Sequence, residues 1–305
     1  MLYFLLIILV LLVSIGYFVY NKLNQIPQFS KNIIVTGASS GIGECLAETY
    51  AMERLAKNLV ICARRVDRLH QLKKRIEDKQ SKWEQSKKTK VTVLQIDVSI
   101  EEDCKRLVDE SIKAFDGGKI DYFVLNAGRT SIERFSEAEN LDDHKRVMDI
   151  NYWGPVYTAK QVLPHMKKTG VGHFIVISSV AGLAGMLNRT AYSASKFALK
   201  GFFDALRLEL VDDGYRNINL TMIYPGAVVS EVHDQVEKRV GKKRNMKVFM
   251  STKDCADHII RAAELKRIDY PTTNAGAMLH YAGNFIPSNI FDKMRISGAK
   301  SMFQE

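Results

Sequence analysis

One stretch decides the fold of this 305-residue chain: NIIVTGASSGIG, residues 32–43. Residues 32–36 form a continuous run rich in β-branched side chains, which predicts a fully buried strand. The glycine spacing Gly37-x-x-x-Gly41-x-Gly43 follows, and a helical pattern begins at once over residues 44–56. A strand, a glycine turn and a helix in this order indicate a dinucleotide site, because the glycines let the backbone approach a pyrophosphate and the helix start presents free N–H groups. The predicted cofactor-binding residues of this stretch are Gly37, Ser39, Ser40, Gly41, Ile42 and Gly43.

The alternation of strand and helix continues along the chain. Buried-strand patterns occur at residues 58–62, 91–96, 121–125, 172–178 and 217–223, and helical patterns at residues 67–90, 101–115, 142–166, 192–210 and 252–265. This order predicts an α/β fold of the Rossmann type, a doubly wound parallel sheet of about seven strands with helices on both faces. Ligands bind such sheets at the carboxyl ends of the strands, so the residues that follow each strand are the candidates for a site.

Two arginines follow the second predicted strand. Enzymes that use unphosphorylated NAD generally place an acidic residue there, on the ribose 2′-hydroxyl. This chain has Arg64 and Arg65 instead, and a guanidinium fork suits a 2′-phosphate in charge and geometry. The alternative is a solvated basic helix start, since further basic residues follow. Because no acidic residue follows this strand and two arginines do, we expect NADP(H) as the cofactor. Asp97, after the third strand, either caps the next helix or bonds the adenine amino group.

Polar residues also follow the fourth and fifth strands. Asn126-Ala127-Gly128 comes directly after the fourth strand, where a glycine lets the chain pass close to a cofactor, and Ser179 marks the end of the fifth. Between them, Asn151 precedes Gly154-Pro155, where the helix of residues 142–166 is expected to kink. Asn151 is either a structural residue, or it lines the site and holds a water.

The helix of residues 192–210 carries a tyrosine and a lysine one turn apart. Tyr192 and Lys196 are at positions i and i+4, so they lie on one face. A free tyrosine titrates near a pKa of ~10 and is a poor proton donor or acceptor at neutral pH. A lysine cation held close lowers that pKa toward the range useful for general acid–base catalysis. The pair is therefore the predicted catalytic centre, although this spacing also occurs by chance on many helices.

The N-terminus predicts a membrane anchor. Residues 1–20 contain no charged side chain, and a helix of that length spans about 30 Å, the hydrocarbon thickness of a bilayer. A cleaved signal peptide and a buried strand are the alternatives, but no small-x-small cleavage site follows the run. Lys22 and Lys31 after it favour a cytosolic body. We predict an anchor at 1–20, a linker at 21–31 and a single catalytic domain at 32–305. Within that domain, a substrate lid is expected at about 227–250, and a tail at about 284–305 either packs on the core or lies at the bilayer interface.

Composition narrows the class of partner. The formal net charge is +10, yet the chain has no zinc-ligand spacing, no basic helix-turn-helix pattern and no repeat of aromatic and basic residues, so we expect no nucleic acid partner. An anionic lipid surface is favoured by the same basic excess. Four cysteines are scattered without a pairing pattern, which suits reduced thiols, and the seven histidines lack ligand spacing, so no metal is expected.

Taken together, these motifs resemble the short-chain dehydrogenase/reductase family. The resemblance covers residues 32 to about 270 and rests on the order and spacing of 36–43, 126–128, Asn151, Ser179, Tyr192-x-x-x-Lys196 and Pro225-Gly226. One departure is Leu125, where members often have an asparagine. The helix of residues 192–203 and the N-terminal anchor look most like the membrane-anchored 11-beta-hydroxysteroid dehydrogenase group and its dehydrogenase/reductase relatives. The 3-ketodihydrosphingosine reductases are a second resemblance, but they typically carry a further hydrophobic C-terminal segment that this chain lacks.

The resemblance implies a role for each motif residue. Tyr192 exchanges a proton with the ketone or alcohol oxygen, Lys196 holds the nicotinamide ribose, and Ser179 bonds the reacting oxygen. Asn151 holds a water in a proton relay, and Pro225 and Gly226 contact the cofactor. The resemblance also implies a homodimer, and we expect a location at the endoplasmic reticulum. The membrane anchor and the apolar residues of the lid favour a hydrophobic carbonyl substrate such as a steroid, retinoid or long-chain lipid; these residues are Val228, Val229, Val232 and Val236. A non-catalytic dinucleotide-binding membrane protein is the rival from another class.

Overall fold

A computed structural model of the chain describes residues 31–53, 56–229, 243, 245–281 and 285–301. The predicted anchor at 1–20 lies outside the described residues, as do residues 21–30 of the predicted linker and most of the predicted lid. Among the helices that are described, none is both long enough and apolar enough to cross a membrane.

The centre of the fold is a parallel sheet of seven strands in the order β3-β2-β1-β4-β5-β6-β7. The strands are β1 (Lys31–Thr36), β2 (Ala56–Ala63), β3 (Lys90–Gln95), β4 (Tyr122–Leu125), β5 (Gly172–Ile177), β6 (Ile218–Tyr224) and β7 (Asp269–Pro271). The predicted doubly wound α/β fold is confirmed. The order reverses between β1 and β4, and this switch point is where ligands bind in folds of this type.

Helices cover both faces of the sheet. They are α1 (Gly41–Met52), α2 (Val66–Lys79), α3 (Glu101–Ala114), α4 (Asp142–Met148), α5 (Gly154–Thr169), α6 (Thr190–Asp212), α7 (Thr252–Glu264), α8 (Asn274–Tyr281) and α9 (Ser288–Ser301). Side chains alternate between the faces along each strand, so Ile33 and Val35 join the core under α1, α2 and α7, while Ile34 joins the core under α3, α5 and α6. Burial on both sides explains why the strands are continuous apolar runs.

Helix α2 ends eleven residues before the predicted end at Lys90, because a buried glutamine stops it. Gln80 is 1% exposed; its Nε2 donates to the carbonyl of Ala51 at 3.0 Å, and its Oε1 accepts from the backbone N–H of Thr89 at 3.0 Å. These bonds fold the charged segment that follows into a loop. Lys90 then begins β3 instead of ending a helix.

Two other elements differ from the sequence pattern. Helix α1 occupies 41–52 rather than 44–56, and Ala56 is instead the buried first residue of β2, paired with Lys31. Strand β7 has no counterpart in the pattern, because three residues ending in Pro271 are too few to show a periodicity. It is held by pairing with β6.

The predicted interruption at Asn151 is confirmed, and its form is a π-helical turn. The helix expected over 142–166 divides into α4, a five-residue π turn at Asp149–Trp153, and α5. Gly154 is required at the junction, since a Cβ there would lie 2.9 Å from the carbonyl oxygen of Val98. Turns of this kind are frequent at functional sites.

A described residue of the predicted lid contacts the predicted tail, because Asn245 Nδ2 donates to Ser301 O at 3.2 Å. The ends of the lid segment are joined, because the N–H of Val229 donates to Met250 O at 2.9 Å and the N–H of Met250 donates to Ala227 O at 2.8 Å. In the tail, helix α9 lies on the surface, where Arg295 donates to the carbonyl of Gly185 at 2.9 Å. Helix α9 therefore contacts the loop that follows β5.

Candidate active site

A cavity of about 550 Å³ opens at the carboxyl ends of the strands. Its size is typical of a cofactor or small-molecule site. Of the predicted site residues, those that line it are Gly37, Ser39, Ser40, Gly41, Ile42, Arg64, Arg65, Asp97, Asn126, Ala127, Gly128, Ser179, Tyr192, Lys196, Pro225 and Gly226. Gly43 and Asn151 lie behind the wall and support it.

The glycine turn has the backbone conformation that its sequence requires. Gly37 and Gly41 have φ of +69° and +60°, a region that side chains with a Cβ rarely adopt. A Cβ on Gly37 would lie 2.8 Å from Ala127 Cα, and one on Gly43 would lie 2.3 Å from Asn126 Nδ2. Gly43 thus lets α1 pack against the turn. The turn and the loop after β4 are in close contact.

The start of α1 fits an anionic ligand. Ser40 is the N-cap residue, yet its side chain makes no capping hydrogen bond to the helix. The first N–H groups of α1 are therefore not satisfied by a side chain, and they carry the positive end of the helix dipole toward the cavity. This chemistry suits the pyrophosphate of a dinucleotide.

Thr36 is a positioning residue that the sequence reasoning did not single out, although it lies in the quoted stretch. It is 2% exposed, and its Oγ1 donates to Val124 O at 3.2 Å while accepting from the N–H groups of Asn126 and Ala127, both at 3.0 Å. Asn126 in turn donates to Thr36 O at 2.9 Å. One hydroxyl therefore joins the end of β1 to the loop after β4.

The two arginines after β2 have different surroundings. Arg65 donates from Nη2 to the hydroxyls of Ser39 at 3.1 Å and Ser40 at 2.7 Å, so it supports the glycine turn. The Arg64 side chain is 64% exposed, and its Nη1 lies 3.8 Å from Asp97 Oδ2. Both line the same end of the cavity, which gives that end a strong positive charge.

Asp97 does not cap the next helix, so that alternative was wrong. Its Oδ1 accepts from the N–H of Ser99 at 3.1 Å and from the Ser99 hydroxyl at 2.7 Å. Helix α3 starts at Glu101, and the residue at its N-cap is Ile100, which has no side chain able to cap. The carboxylate is held in a local turn on the cavity wall, and its contact with the adenine amino group stays a prediction.

Tyr192 and Lys196 lie one turn apart on α6, and both face the cavity. Lys196 is 4% exposed, and its Nζ donates to Ile177 O at 2.9 Å. The same Nζ lies 5.7 Å from the centre of the Tyr192 ring. Burial lowers the pKa of Lys196 to about 8. Burial raises the pKa of Tyr192, and interactions with Ser179 and Arg189 partly oppose that rise.

The spacing of Tyr192 and Lys196 predicts a lowered Tyr192 pKa, but this prediction is wrong, because burial in the structure raises that pKa. The Lys196 ammonium is directed at a backbone carbonyl rather than at the phenol oxygen, and the cost of burying a phenolate outweighs the favourable charges. The cation that opposes the rise is Arg189, whose guanidinium carbon lies 5.8 Å from the centre of the Tyr192 ring and which the motif did not include. A single arginine in a loop gives no sequence signal of such a position.

Ser179 and Asn151 are fixed by their own hydrogen bonds. Ser179 begins a short 3₁₀ turn after β5, and its Oγ accepts from the N–H of Ala181 at 3.1 Å. Asn151 is fully buried; its Oδ1 accepts from the N–H of Arg129 at 2.8 Å, and its Nδ2 donates to Arg129 O at 2.8 Å and to Ser195 Oγ at 3.0 Å. Asn151 therefore holds the loop after β4 against α6.

Known proteins share this sequence pattern. A family model described as short chain dehydrogenase matches residues 31–241. The dehydrogenase/reductase SDR family protein 7-like of Dictyostelium discoideum is 34% identical over 94% of this chain and 90% of its own length. The 11-beta-hydroxysteroid dehydrogenase-like 4A of Arabidopsis thaliana is 38% identical over 65% of this chain, a match that spans 61% of that relative.

The fold is shared with a solved structure as well. A short chain dehydrogenase/reductase from Burkholderia phymatum, crystallised in complex with NAD, superposes with a TM-score of 0.73. The two chains are 20% identical, and the superposition covers 88% of this chain and 96% of the other.

Proposed function

The chain belongs to the short-chain dehydrogenase/reductase family, and from this premise we propose that it is an NADP(H)-dependent oxidoreductase that interconverts a ketone and a secondary alcohol on a hydrophobic substrate. The observation that carries the proposal is the sharing of one cavity by Tyr192, Lys196 and Ser179 with the glycine turn. A protein that only bound a dinucleotide would need the turn alone.

The protein's residues divide the chemistry among them. When bound, the nicotinamide supplies or accepts the hydride. Tyr192 gives a proton to the carbonyl oxygen during reduction and removes it during oxidation. Ser179 donates a hydrogen bond to that oxygen, and Lys196 binds the nicotinamide ribose. Asn151 keeps the loop of Gly128 and Arg129 in place and holds the water of the proton relay.

The preference for NADP(H) is supported by the charge after β2. Arg64 has most of its side chain exposed and lies beside Arg65 at one end of the cavity. Guanidinium groups bind phosphate with paired hydrogen bonds, and an NAD enzyme generally has an acid there instead. Asp97 lies 3.8 Å from the Arg64 guanidinium at that rim.

We also propose that residues 1–20 anchor the enzyme in a membrane, at the endoplasmic reticulum with a cytosolic body. The support is the uncharged run of residues 1–20 with lysines after it. A substrate dissolved in the bilayer would reach the cavity past Val228 and Met186, two apolar residues of its wall. Steroids, retinoids and long-chain lipid ketones are the candidate classes.

A homodimer through α6 is part of the proposal. Phe197, Leu208 and Val211 are 45%, 59% and 49% exposed on this helix. A Cβ on Gly201 would meet no atom within 4 Å. These positions are spaced for one helix face, and a face of this composition suits contact with a second copy of α6. Light scattering of the purified protein tests it.

The function is tested by following NADPH oxidation and NADH oxidation with a panel of steroid, retinoid and lipid ketones, and the reverse reaction with the matching alcohols. We expect turnover of at least one hydrophobic ketone, with NADPH preferred. Tight dinucleotide binding without turnover in either direction would instead support a non-catalytic binding protein. Equal use of NADPH and NADH would contradict the cofactor preference alone.

A further inference from the structure

The substrate side of the cavity holds a cation that the proposed chemistry does not use. Arg189 immediately precedes α6 and lines the cavity together with Tyr192. The central carbon of its guanidinium lies 5.8 Å from the centre of the Tyr192 ring. A charge this close to the proton donor is also close to the carbonyl that accepts the proton.

Two other arginines of the cavity have a carboxylate within 4 Å of the guanidinium. Among the described residues Arg189 has none at that distance, although Glu133 lies beside it in an isolated β-bridge. Arg129 pairs with Asp143 at 2.5 Å, and Arg64 has Asp97 at 3.8 Å. Within the part of the chain that the structure describes, no carboxylate pairs with Arg189, whose Nη1 donates to the Thr130 hydroxyl at 3.0 Å. A guanidinium has five N–H donors, so this one bond leaves most of them available to a ligand.

The surroundings of Arg189 add to the attraction for an anion. The guanidinium is partly removed from water, and burial lowers its pKa. A partly desolvated charge without a counter-ion is costly, and a negatively charged ligand offsets that cost. Met186 and Val180 line the cavity nearby, so the site combines an apolar wall with one cation.

We infer that Arg189 binds an anionic oxygen of the substrate, and that the substrate is a hydrophobic keto acid whose carboxylate lies a few bonds from the reacting carbonyl. Arginine and carboxylate match in charge and in planar geometry, so the pair also orients the carbonyl toward Tyr192. This inference rests on the proposed function, because it takes the carbonyl to react beside Tyr192.

The kinetic test compares acids with their neutral esters. The probes are benzoylformate, with the carboxylate on the carbonyl carbon, and benzoylpropionate, with two methylenes between them, each beside its methyl ester. We expect the wild-type enzyme to prefer at least one acid over its ester by about 10- to 100-fold in kcat/KM, the range for a hydrogen bond to a charged group. Arg189→Met should remove the preference by raising KM for the acid, whereas any effect through the Tyr192 pKa should change kcat for acid and ester alike.

Two matched variants separate recognition from a structural role. Arg189→Lys keeps the charge and should retain part of the preference for the acid. Thr130→Val removes the bond to Nη1 but keeps the guanidinium, and should retain nearly all of it. If Thr130→Val reproduced the loss seen in Arg189→Met, the arginine would only be joining two loops. If Arg189→Met slowed acid and ester equally and left the ratio of their kcat/KM values unchanged, the arginine would act only through Tyr192 and the inference would be wrong.

A binding measurement does not depend on turnover. Calorimetric titration of benzoate into the complex with NADP⁺ should show binding to wild-type protein and its loss in Arg189→Met, with NADP⁺ affinity unchanged as the check on folding. Benzoate binding that is equal in both proteins, or absent from both, overturns the inference. If the enzyme reduced the esters and showed no preference for the acids, the inference about Arg189 would be overturned while the proposed function would stand. Benzoate binding at Arg189 with no reduction of any ketone would refute the proposed function instead.

Discussion

The two ends of the cavity are both positively charged, but they are built differently. At the catalytic end, Lys196 is 4% exposed and Asn151 is fully buried. At the other end, the side chain of Arg64 is 64% exposed. A buried charge interacts strongly and cannot be compensated by water, whereas an exposed charge is screened by solvent and salt. Substitutions at the catalytic end should therefore have large effects that depend on pH, and those at the arginine end should have smaller effects that depend on salt.

The largest effect is expected from Tyr192→Phe, which removes the proton donor and keeps the ring. Turnover of a working ketone should fall about 10²–10⁴-fold, the usual contribution of general acid catalysis. NADPH affinity, measured by fluorescence titration, should stay within about twofold, because the adenosine end is untouched. Tyr157→Phe is the control, since Tyr157 stacks on Trp153 and does not line the cavity. If Tyr192→Phe turned over the ketone at the wild-type rate, Tyr192 would not be the proton donor.

Asn151→Ala should cause the largest loss of stability. It leaves the N–H and carbonyl of Arg129 without their partner and removes the donor to the Ser195 hydroxyl, at a cost of about 4 kcal/mol in the free energy of unfolding. Urea denaturation measures it. Asn58→Ala, which removes one bond to Asn32, is the control and should cost about 1 kcal/mol. Equal losses in the two variants would show that the catalytic end is no more constrained than the surface.

Lys196→Met should stabilise the protein near neutral pH while abolishing activity. Burial lowers the pKa of Lys196 in the folded state from its ordinary value of 10.5 to about 8, so the cost of burying the ammonium is fully present below about pH 8. The unfolded chain holds the extra proton between these values, so wild-type stability rises with pH across that window. The variant's advantage, up to about 3 kcal/mol, should therefore shrink as pH rises toward 10.

Chemical denaturation at several pH values measures this difference. Lys200→Met is the control, because Lys200 lies on the same helix and pairs with Asp204 at a partly exposed site. Its effect should be within about 0.5 kcal/mol, as is usual for surface pairs. A Lys196→Met advantage that stayed constant between about pH 7 and pH 10 would mean that the folded-state pKa of Lys196 is not lowered.

The smallest effect is expected at the arginine end. Arg64→Ala should weaken NADPH binding about tenfold, the value of one charge-assisted hydrogen bond, and leave NADH binding unchanged. Added salt should reduce the difference between the two cofactors. Lys73→Ala is the control, since Lys73 pairs with Glu77 and lies away from the cavity. Equal losses of NADPH and NADH binding would exclude the 2′-phosphate contact.

Most of the fold could be predicted because its strands are buried on both faces. Such strands are continuous apolar runs that can be recognised locally, and Gly37 and Gly41 mark a turn that needs positive φ. The end of α2 could not be predicted in the same way. It depends on Gln80 reaching Thr89 and Ala51, and contacts between distant residues leave no periodic trace.

The site shows the same division. Its residues follow strand ends in a recognisable order, and the predicted set surrounds one cavity. The electrostatic balance at Tyr192 was not predictable, since the phenol's pKa depends on how far the fold buries it and on the neighbouring Arg189. The spacing of Tyr192 and Lys196 predicts neither how deeply Tyr192 is buried nor how close Arg189 comes to it.

The π turn at Asp149–Trp153 also has a consequence for how this gene can change. Such a turn contains one residue more than the α-helical path it replaces, so deleting one codon there would permit an unbroken helix. Everything beyond the deletion would rotate by about 100° relative to α4, one residue's step around a helix. Either Asn151 would leave the loop it holds, or Val162 and Met166 would leave the core. A change of length in this segment would therefore disturb either the site or the core, whichever of its residues is removed.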